Sequence, residues 1–375
     1  MKFQVERSAL ADAVAWVARS LPQRPPMPVL AGILLEVDAD ELTVSSYDYE
    51  VSTQMKVDSA TETAGRTLVS GRLLADITKA LPNKPVSFAV EGSRLKITCG
   101  TSRFELPTMP VEDYPALPDM PQISGTVSAD EFARVVATVA VAAGRDETLP
   151  FLTGVRIEIE GDKLTFAATD RYRLAVREMT WNPATPGMST AVLVPAKMLS
   201  DTAKTLANGG EISIGLGNSG DGIVGFAGGQ RHSTTRLLDP DFPPFRKLLP
   251  TETLATADVP AAHLVEAVRR VALVGDRGTP LQLAFEGGNL TLTVAGEEDG
   301  SAEESLQTEF EGDPIRIGFN PAYLLDGLGA INAESVRLKF VTATKPAVLS
   351  PTPTDDSDEA ALSYRYLIMP MRLPG

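Results

Sequence analysis

The stretch PVLAGILLEVDADELTVSS, residues 28–46, decides the fold because it recurs twice in this chain of 375 residues. The other copies are PFLTGVRIEIEGDKLTFAA at 150–168 and PLQLAFEGGNLTLTVAG at 280–296. Each copy has two runs of alternating apolar residues around a short polar turn, which predicts a β-hairpin. One leucine holds the same place in every copy, at steps of 122 and 126 residues: Leu42, Leu164 and Leu290.

A second pattern, from a strand into a helix, recurs with a similar step. Its copies lie at 67–81, 191–206 and 315–331, and aligning them matches Leu73, Met198 and Leu324. Pro195 and Pro321 suit a first helical turn, and Asn320 suits an N-cap. A further amphipathic helix precedes each hairpin, so six helical segments are predicted: 8–20, 71–81, 128–143, 195–207, 259–274 and 320–331.

Proline-rich joints separate the repeats. They read LPTMPVEDYPALPDMP at 106–121 and LLDPDFPPFRKLLP at 237–250. We therefore expect three α+β domains at 1–121, 122–250 and 251–375, each with two helices packed on antiparallel sheets. Repeats of this length are better interpreted as domains than as solenoid units. Three unrelated α+β domains are the alternative.

Composition excludes several classes of protein. Net charge is −15, no apolar run approaches the length of a membrane span, and Cys99 is the only cysteine. The start MKFQVERSAL lacks the pattern of a signal peptide, so we expect a cytoplasmic protein. His232 and His263 have no metal-ligand spacing.

The charge is unevenly distributed. The helical segments nearly balance acids with eight basic residues, so the acidity belongs to the strands and loops. An arginine also follows the first helix of each repeat, at Arg24, Arg145 and Arg277. Such arginines either favour a helix C-terminus or form positive loops that face a polyanion.

The whole chain resembles the bacterial sliding clamps, the β subunit of the DNA polymerase III holoenzyme. The resemblance rests on the threefold repeat and on MKFQVER (1–7), TDRYRLA (169–175), FPPFRKLLP (242–250) and YLIMPMRLP (366–374). It implies a head-to-tail dimeric ring, in which helices line a hole and sheets form the outer wall.

The resemblance also implies a non-enzymatic protein without a cofactor that encircles double-stranded DNA and contacts phosphates without reading sequence. The expected DNA-facing residues are Arg24, Arg72, Lys79, Arg134, Arg145, Lys197, Lys204, Arg269, Arg270 and Arg277. The expected protein partners use short peptide motifs: the replicative polymerase, the clamp-loader ATPase, repair polymerases, ligase and mismatch-repair proteins.

In this family a hydrophobic pocket between the second and third domains takes such peptides. The matching residues here are Leu152, Thr169, Arg171, Tyr172, Arg173, Leu174, Pro243, Leu248, Leu367, Met369, Pro370, Met371, Arg372 and Leu373. Arg173 and Arg372 are expected at its rim, and methionine suits a site with many partners. The family often has TDGHR where this chain has TDRYR, so Arg171 and Tyr172 are a bulkier pair at this site. A last strand buried in its own domain is the alternative for the chain end.

The seam of the ring is expected to use RFEL (103–106) as an edge strand, with Phe104 and Leu106 packing inward. Leu273 and Val274 would meet it from the other protomer. Glu303 and Glu304 would face Arg72, Lys79 and Arg103, although these charges also suit a solvated surface.

Two other functional classes are open. A Mg²⁺-dependent enzyme would use carboxylates such as Asp170 and Asp239, and a peptide-binding scaffold would have no role on DNA. GLGNSG (215–220) matches a dinucleotide-binding pattern but is interpreted as a hairpin turn, since a strand follows it. Cys99 is interpreted as a packing residue, and TDDSDEA (354–360) as an acidic loop.

Overall fold

The computed structural model describes residues 1–207, 210–217, 222–276, 278–295, 300–354 and 363–373. Among them are six helices: α1 Arg7–Val17, α2 Gly71–Ala80, α3 Ala129–Ala140, α4 Ala196–Leu206, α5 Ala261–Val271 and α6 Pro321–Ala330. Five of them lie inside the predicted segments, and α1 begins one residue before its segment, at Arg7. The predictions ran long partly because two ends tighten into 3₁₀ turns, at Ala18–Ser20 and Ala272–Val274.

The strands follow the hairpin pattern of the sequence. They are β1 Lys2–Val5, β2 Gly32–Asp38, β3 Glu41–Tyr47, β4 Val51–Thr63, β5 Gly65–Ser70, β6 Val86–Glu91, β7 Arg94–Cys99, β8 Ser102–Met109, β9 Ile123–Ser128, β10 Gly154–Glu160, β11 Lys163–Thr169, β12 Arg173–Thr180, β13 Asn182–Pro183, β14 Ser189–Pro195, β15 Glu211–Leu216, β16 Ile223–Gly228, β17 Arg231–Arg236, β18 Ala255–Pro260, β19 Leu281–Glu286, β20 Asn289–Ala295, β21 Ser301–Gln307, β22 Glu309–Glu311, β23 Ile315–Phe319, β24 Ser335–Phe340, β25 Ala347–Pro351 and β26 Arg365–Ile368.

The chain divides into two compact units. One contains Met1–Ala129 and Lys204–Leu237, and the other contains Asp130–Ala203 and Leu238–Gly375. In the first unit, α1 and α2 pack on a sheet in the order β1-β6-β7-β8-β5-β2-β3-β4-β17-β16-β15-β9. Its core joins helix to sheet, with Leu10 and Val14 of α1 fully buried beside the stacked rings of Phe3 and Phe88.

The second unit contains two sheets. One has nine strands in the order β14-β10-β11-β12-β26-β25-β24-β18-β22, and the other has four in the order β21-β20-β19-β23. Strand pairing crosses the expected domain boundaries in both units. β4 of the first repeat pairs with β17 of the second, and β12 of the second pairs with β26 of the third. Neighbouring repeats are therefore joined by backbone hydrogen bonds along a strand.

The internal repeat is visible in the cores. Leu42, Leu164 and Leu290 are all fully buried, as the hairpin pattern predicts. The alignment of the second pattern was wrong in the first repeat, because Leu73 is 45% exposed and the buried leucine is its neighbour Leu74. In the other two repeats Met198 and Leu324 are buried, as is Leu199 beside Met198. Adjacent apolar residues on a helix point 100° apart, so a one-residue slip exchanges a core position for a surface one.

The helix starts follow the predicted capping residues with one exception. The Asn320 side chain accepts hydrogen bonds from the N–H groups of Ala322 and Tyr323, at 2.9 and 3.2 Å. Pro321 occupies the first turn of α6, as expected. Pro195, however, ends strand β14, and α4 begins after it.

Candidate functional site

The TDRYR segment forms a tight loop between β11 and β12. Asp170 Oδ1 accepts hydrogen bonds from the N–H groups of Tyr172 and Arg173, at 3.0 and 3.1 Å. The Thr169 hydroxyl donates to the Arg173 carbonyl at 2.6 Å. The turn places Arg171 at φ 79°, in the left-handed region that favours glycine. The turn therefore holds the backbone of Arg171 in a strained conformation, and it places the side chains of Arg171 and Tyr172 on the surface.

Arg173 holds this loop from beneath, with its side chain only 5% exposed. Its guanidinium binds Asp170 at 3.0 Å and Asp326 of α6 at 2.5 Å, and it lies 4.4 Å from the ring centroid of Tyr323. Burial alone would lower the pKa of Arg173, but Tyr366 and Asp326 outweigh it and raise that pKa. Arg173 is therefore a buried support of the loop and does not lie at a rim, in contrast to the expectation.

The apolar chain end has two structural roles. β26 pairs with β12 on one side and β25 on the other, so Leu367 and Ile368 are buried. Beyond it, the Met369 N–H donates to the Tyr172 carbonyl at 2.8 Å. The terminal strand is therefore buried in its own sheet, as the alternative interpretation predicted. Met369, directly after it, is 40% exposed and can also contribute to a surface site.

The final residues fold back over β23. The Met371 N–H donates to the Gly318 carbonyl at 2.7 Å. A Cβ on Gly318 would lie 3.0 Å from the Met371 carbonyl oxygen and 2.7 Å from Leu373 Cδ2, so glycine leaves room for this close approach of the chain end. Gly318 and the tail line an open cavity of about 580 Å³ that has Arg316 and Arg372 at its edge.

A hydrophobic cluster lies under the loop and the terminal strand. It contains Leu174, Leu193, Phe242, Phe245 and Leu367 among its buried members. Leu152, at the end of a 3₁₀ turn, is also buried, and Pro243 is half-buried. Three large apolar side chains of the predicted peptide site stay on the surface at 56%, 47% and 40% exposure: Tyr172, Leu248 and Met369. The buried residues of the predicted peptide site therefore form its floor, and the three exposed side chains can contact a ligand.

Two residues of α6 join this arrangement, although no motif in the sequence pointed to them. Tyr323 stacks on Tyr172 with ring centroids 6.3 Å apart, and Asp326 binds Arg173. They lie about 150 residues along the chain from the loop, and an isolated sequence cannot show that pairing of β12 with β26 brings them together. Burial raises the pKa of the Tyr323 hydroxyl, with a further contribution from Asp170.

The candidate DNA-facing residues are solvent-exposed wherever the structure describes them. Arg277 lies outside the described residues; the exposed ones are Arg24, Arg72, Lys79, Arg134, Arg145, Lys197, Lys204, Arg269 and Arg270. Two of them are already engaged. Arg269 binds Glu266 at 3.1 Å, and Arg270 binds Glu304 at 2.7 Å.

The candidate seam strands β8 and β21 have an edge that is unpaired over most or all of its length. β8 pairs with β7 along its length but with β5 only at its end, and Leu106 is buried while Phe104 is half-buried against the core. β21 is the outer strand of the four-stranded sheet. Leu273 is 82% exposed, and Val274 is half-buried. Glu303 is exposed. Glu304 binds Arg270 of its own chain, whereas the expected contact was with a cation of the other protomer.

The signals that were set aside have structural explanations. Cys99 is fully buried, and its Sγ donates to the carbonyls of Pro82 and Lys84. GLGNSG connects the paired strands β15 and β16, although 218–221 are outside the described residues, as is most of 354–360. In the part of the chain that the structure describes, no group of three metal-ligating side chains occurs, and no helix is long and apolar enough to cross a membrane.

Comparison with known proteins decides the family. Three family models match in order: the N-terminal domain of the DNA polymerase III beta subunit at 1–118, its central domain at 126–244 and its C-terminal domain at 246–372. The chain belongs to the DNA polymerase III beta-subunit family. Its members are sliding clamps, which are processivity factors and not enzymes, so the enzyme alternative built on Asp170 and Asp239 is set aside.

Relatives and solved structures agree. The beta sliding clamp of Streptomyces coelicolor is 54% identical over the full length of both chains, and that of Micrococcus luteus is 50% identical over 83% of this chain and all of its own. A Pseudomonas aeruginosa sliding clamp solved with griselimycin matches with a TM-score of 0.91 at 29% identity, with both chains fully covered. A Bacillus subtilis sliding clamp matches with a TM-score of 0.92 at 25% identity, again over both full chains. The resemblance and the three-clamp-domain fold are thus confirmed.

Proposed function

We propose that two copies of this sliding clamp close head to tail around duplex DNA, and that each copy tethers replication and repair proteins by short peptides. The domains would be 1–121, 122–250 and 251–375. The observation that carries the proposal is the exposure of basic side chains on helices of a chain whose net charge is −15. The net negative charge of the protein weakens its equilibrium binding to DNA, so we expect the clamp to be retained by enclosing the duplex and not by tight binding.

The open edges support ring closure. β8 has one edge free over most of its length, and β21 ends its sheet. Free strand edges are prone to aggregation, and pairing them between protomers removes both at once. Leu273, at 82% exposure, supplies apolar area for the same contact.

The terminal strand and the loop support the peptide site. Tyr172, Leu248 and Met369 are exposed above a buried floor that includes Leu174 and Leu367. A short peptide could place apolar side chains on this floor, with Arg372 and Arg171 free to bind its polar groups. The partners would be the replicative polymerase, the clamp-loader ATPase, repair polymerases, ligase and mismatch-repair proteins, which places the clamp in the cytoplasm with the chromosome.

Retention on DNA tests enclosure. After loading, the clamp should stay on closed circular duplex and leave once the circle is cut, because a ring can slide off an end. Equal retention on circular and linear DNA would refute enclosure. No retention on either, with peptide binding intact, would favour the scaffold alternative.

Removal of the chain end tests the peptide site. Deleting 369–375 should abolish binding of a polymerase-derived peptide, because Met369 and the residues after it leave the loop, while the dimer mass stays unchanged. Undiminished peptide affinity of this truncated protein would refute the placement of the site.

A further inference from the structure

The first repeat carries a surface of aromatic and methionine side chains, called here the tyrosine surface: Met27, Tyr47 and Tyr49. The rings of Tyr47 and Tyr49 are tilted against each other, with centroids 5.7 Å apart. The Tyr49 hydroxyl lies 3.9 Å from Met27 Sδ, and these two side chains are 40% and 39% exposed. Contiguous exposed side chains of this size are typical of an interaction site.

The tyrosine surface is held in place from beneath. Tyr47 packs against a buried cluster that contains Val29, Leu30 and Tyr114. The Tyr114 hydroxyl accepts a hydrogen bond from the Tyr47 N–H at 2.7 Å and donates to the Tyr47 carbonyl at 3.5 Å. Burial raises the pKa of Tyr114 to about 12, so this hydroxyl keeps its proton and both bonds. The joint that follows the first repeat thus fixes the position of the surface.

The tyrosine surface is the internal counterpart of the peptide site. The Arg236 N–H donates to the Glu50 carbonyl at 3.0 Å, as the Met369 N–H donates to the Tyr172 carbonyl at 2.8 Å. Glu50 and Tyr172 are 122 residues apart, the same step that separates the hairpin leucines of the first two repeats. Equivalent turns and equivalent strand ends therefore build both sites.

The floors of the two sites differ. Where Leu174 pairs with Leu367, the first repeat pairs Ser52 with Thr234. The hydroxyls of Ser52 and Thr234 are buried and lie 2.7 Å apart. Two hydroxyls that bind each other provide no apolar pocket for a leucine side chain. A ligand must therefore lie across the exposed rings and not enter a pocket beneath them.

Acidic side chains surround the tyrosine surface. Four carboxylates and two arginines belong to the segments that build it: 24–31, 47–51, 109–117 and 234–236. Glu50, Glu112 and Asp113 are exposed, and in the described part of the chain they form no ion pair. The peptide site has exposed arginines instead, at 171 and 372. The two sites therefore have opposite charge.

We propose that the tyrosine surface is a second docking site, which binds a short peptide of a partner protein in which an arginine or lysine lies next to an apolar residue. A cation binds the face of a tyrosine ring, and unpaired carboxylates complement its charge. The flexible side chain of Met27 suits the neighbouring apolar residue. The same carboxylates disfavour DNA and acidic peptides, so one protomer offers two sites that select different partners.

Two synthetic peptides with capped ends test the charge preference. The basic peptide is Arg-Leu-Trp-Arg and the acidic peptide is Glu-Leu-Trp-Glu, each with a fluorinated tryptophan whose fluorine NMR signal reports binding. Full-length clamp is titrated into each peptide while a polymerase-derived peptide saturates the peptide site. The basic peptide should bind, with an affinity that falls as salt is added, and the acidic peptide should not.

Substitutions locate the contact. Tyr49→Ala should weaken binding of the basic peptide about tenfold, because one partly desolvated cation–π contact is lost, whereas Tyr49→Phe keeps the ring and the affinity. Glu50→Gln with Glu112→Gln should weaken it about threefold. The matched control is Glu309→Gln with Glu311→Gln, which removes two exposed carboxylates of β22 and should change nothing. An unchanged melting temperature shows that each variant is folded.

A comparison of the two turns separates this site from the peptide site. Tyr172→Ala should weaken the polymerase-derived peptide and spare the basic peptide, and Tyr49→Ala should do the reverse. Equal binding of basic and acidic peptides, or full affinity of the Tyr49→Ala clamp, would overturn the proposal. Binding of a short duplex that Tyr49→Ala abolishes would assign the surface to nucleic acid, and a particle mass above the dimer that depends on Tyr49 would assign it to another clamp. Either result also overturns the proposal, while circular-DNA retention tests the proposed function independently.

Discussion

Two residues in left-handed backbone conformation mark equivalent turns of the repeat. Tyr49 has φ 76° and Arg171 has φ 79°, and they are 122 residues apart. Each follows an aspartate whose Oδ1 accepts two backbone N–H bonds, Asp48 from Glu50 and Val51, and Asp170 from Tyr172 and Arg173. The aspartate thus stabilises a turn whose next residue is strained.

Arg171→Gly should raise the melting temperature of the clamp. Glycine adopts the left-handed region without a Cβ clash, and the free energy of unfolding should rise by up to about 1 kcal/mol after its entropic cost. Arg171→Ala is the control, because it removes the same long side chain but keeps the Cβ. Equal melting temperatures for the two variants would contradict the argument from strain.

Arg173→Ala should destabilise the second unit strongly. It leaves the half-buried Asp170 without the cation of the buried Arg173, and breaking a fully buried pair costs about 3–5 kcal/mol, which is the upper limit here. Arg365, half-buried at 3.6 Å from Glu178, offers a matched arginine whose loss should cost at most about 1 kcal/mol. Denaturant unfolding of both variants tests the difference, and peptide affinity should fall only for Arg173→Ala.

At the scale of elements, an ion pair fastens the joint between the second and third repeats to the sheet. Arg246, in the turn Phe245–Lys247, donates to Glu158 of β10, which also accepts from Arg156. Burial alone would raise the pKa of Glu158, but the hydrogen bonds from Arg156 and Arg246 outweigh it, so that pKa lies below its usual value. A depressed carboxyl pKa contributes stability above the unfolded pKa and loses it as pH falls through the folded one.

The clamp should therefore lose part of its thermal stability on acidification, and Glu158→Gln should lose less. Melting temperatures measured between about pH 6 and pH 3, across the ordinary range of a glutamate, should converge for the two proteins as the pH falls. A constant difference over this range would show that the Glu158 charge does not stabilise the joint.

At the scale of the whole molecule, the exposed end of α5 and two free strand edges are expected to meet between protomers. Leu273→Glu should yield particles near 39.9 kDa, in place of twice that mass, because it puts a charge into an apolar contact. Leu254→Glu is the control, because Leu254 is also an exposed leucine, at 65%, but lies outside the expected seam. Light scattering gives both masses, and a dimeric Leu273→Glu protein would contradict the placement of the seam.

The sequence by itself determined the repeat, the six helices and the buried leucines of the hairpins, because period and turn chemistry are local properties. The sequence determined less well which residue of each helix faces the core. Leu73 and Leu74 are adjacent leucines that satisfy the same helical pattern, and only Leu74 is buried. The floor residues Leu174 and Leu367 and the exposed Tyr172 and Met369 were named from the family resemblance.

Only the tertiary structure decided how the charges are used. Arg173 is a buried support instead of a rim residue, Glu304 binds Arg270 of its own chain, and Tyr323 and Asp326 reach the loop through the pairing of β12 with β26. Each of these contacts joins residues far apart in the chain. Their formation depends on strand pairing and burial, which no local pattern in the sequence encodes.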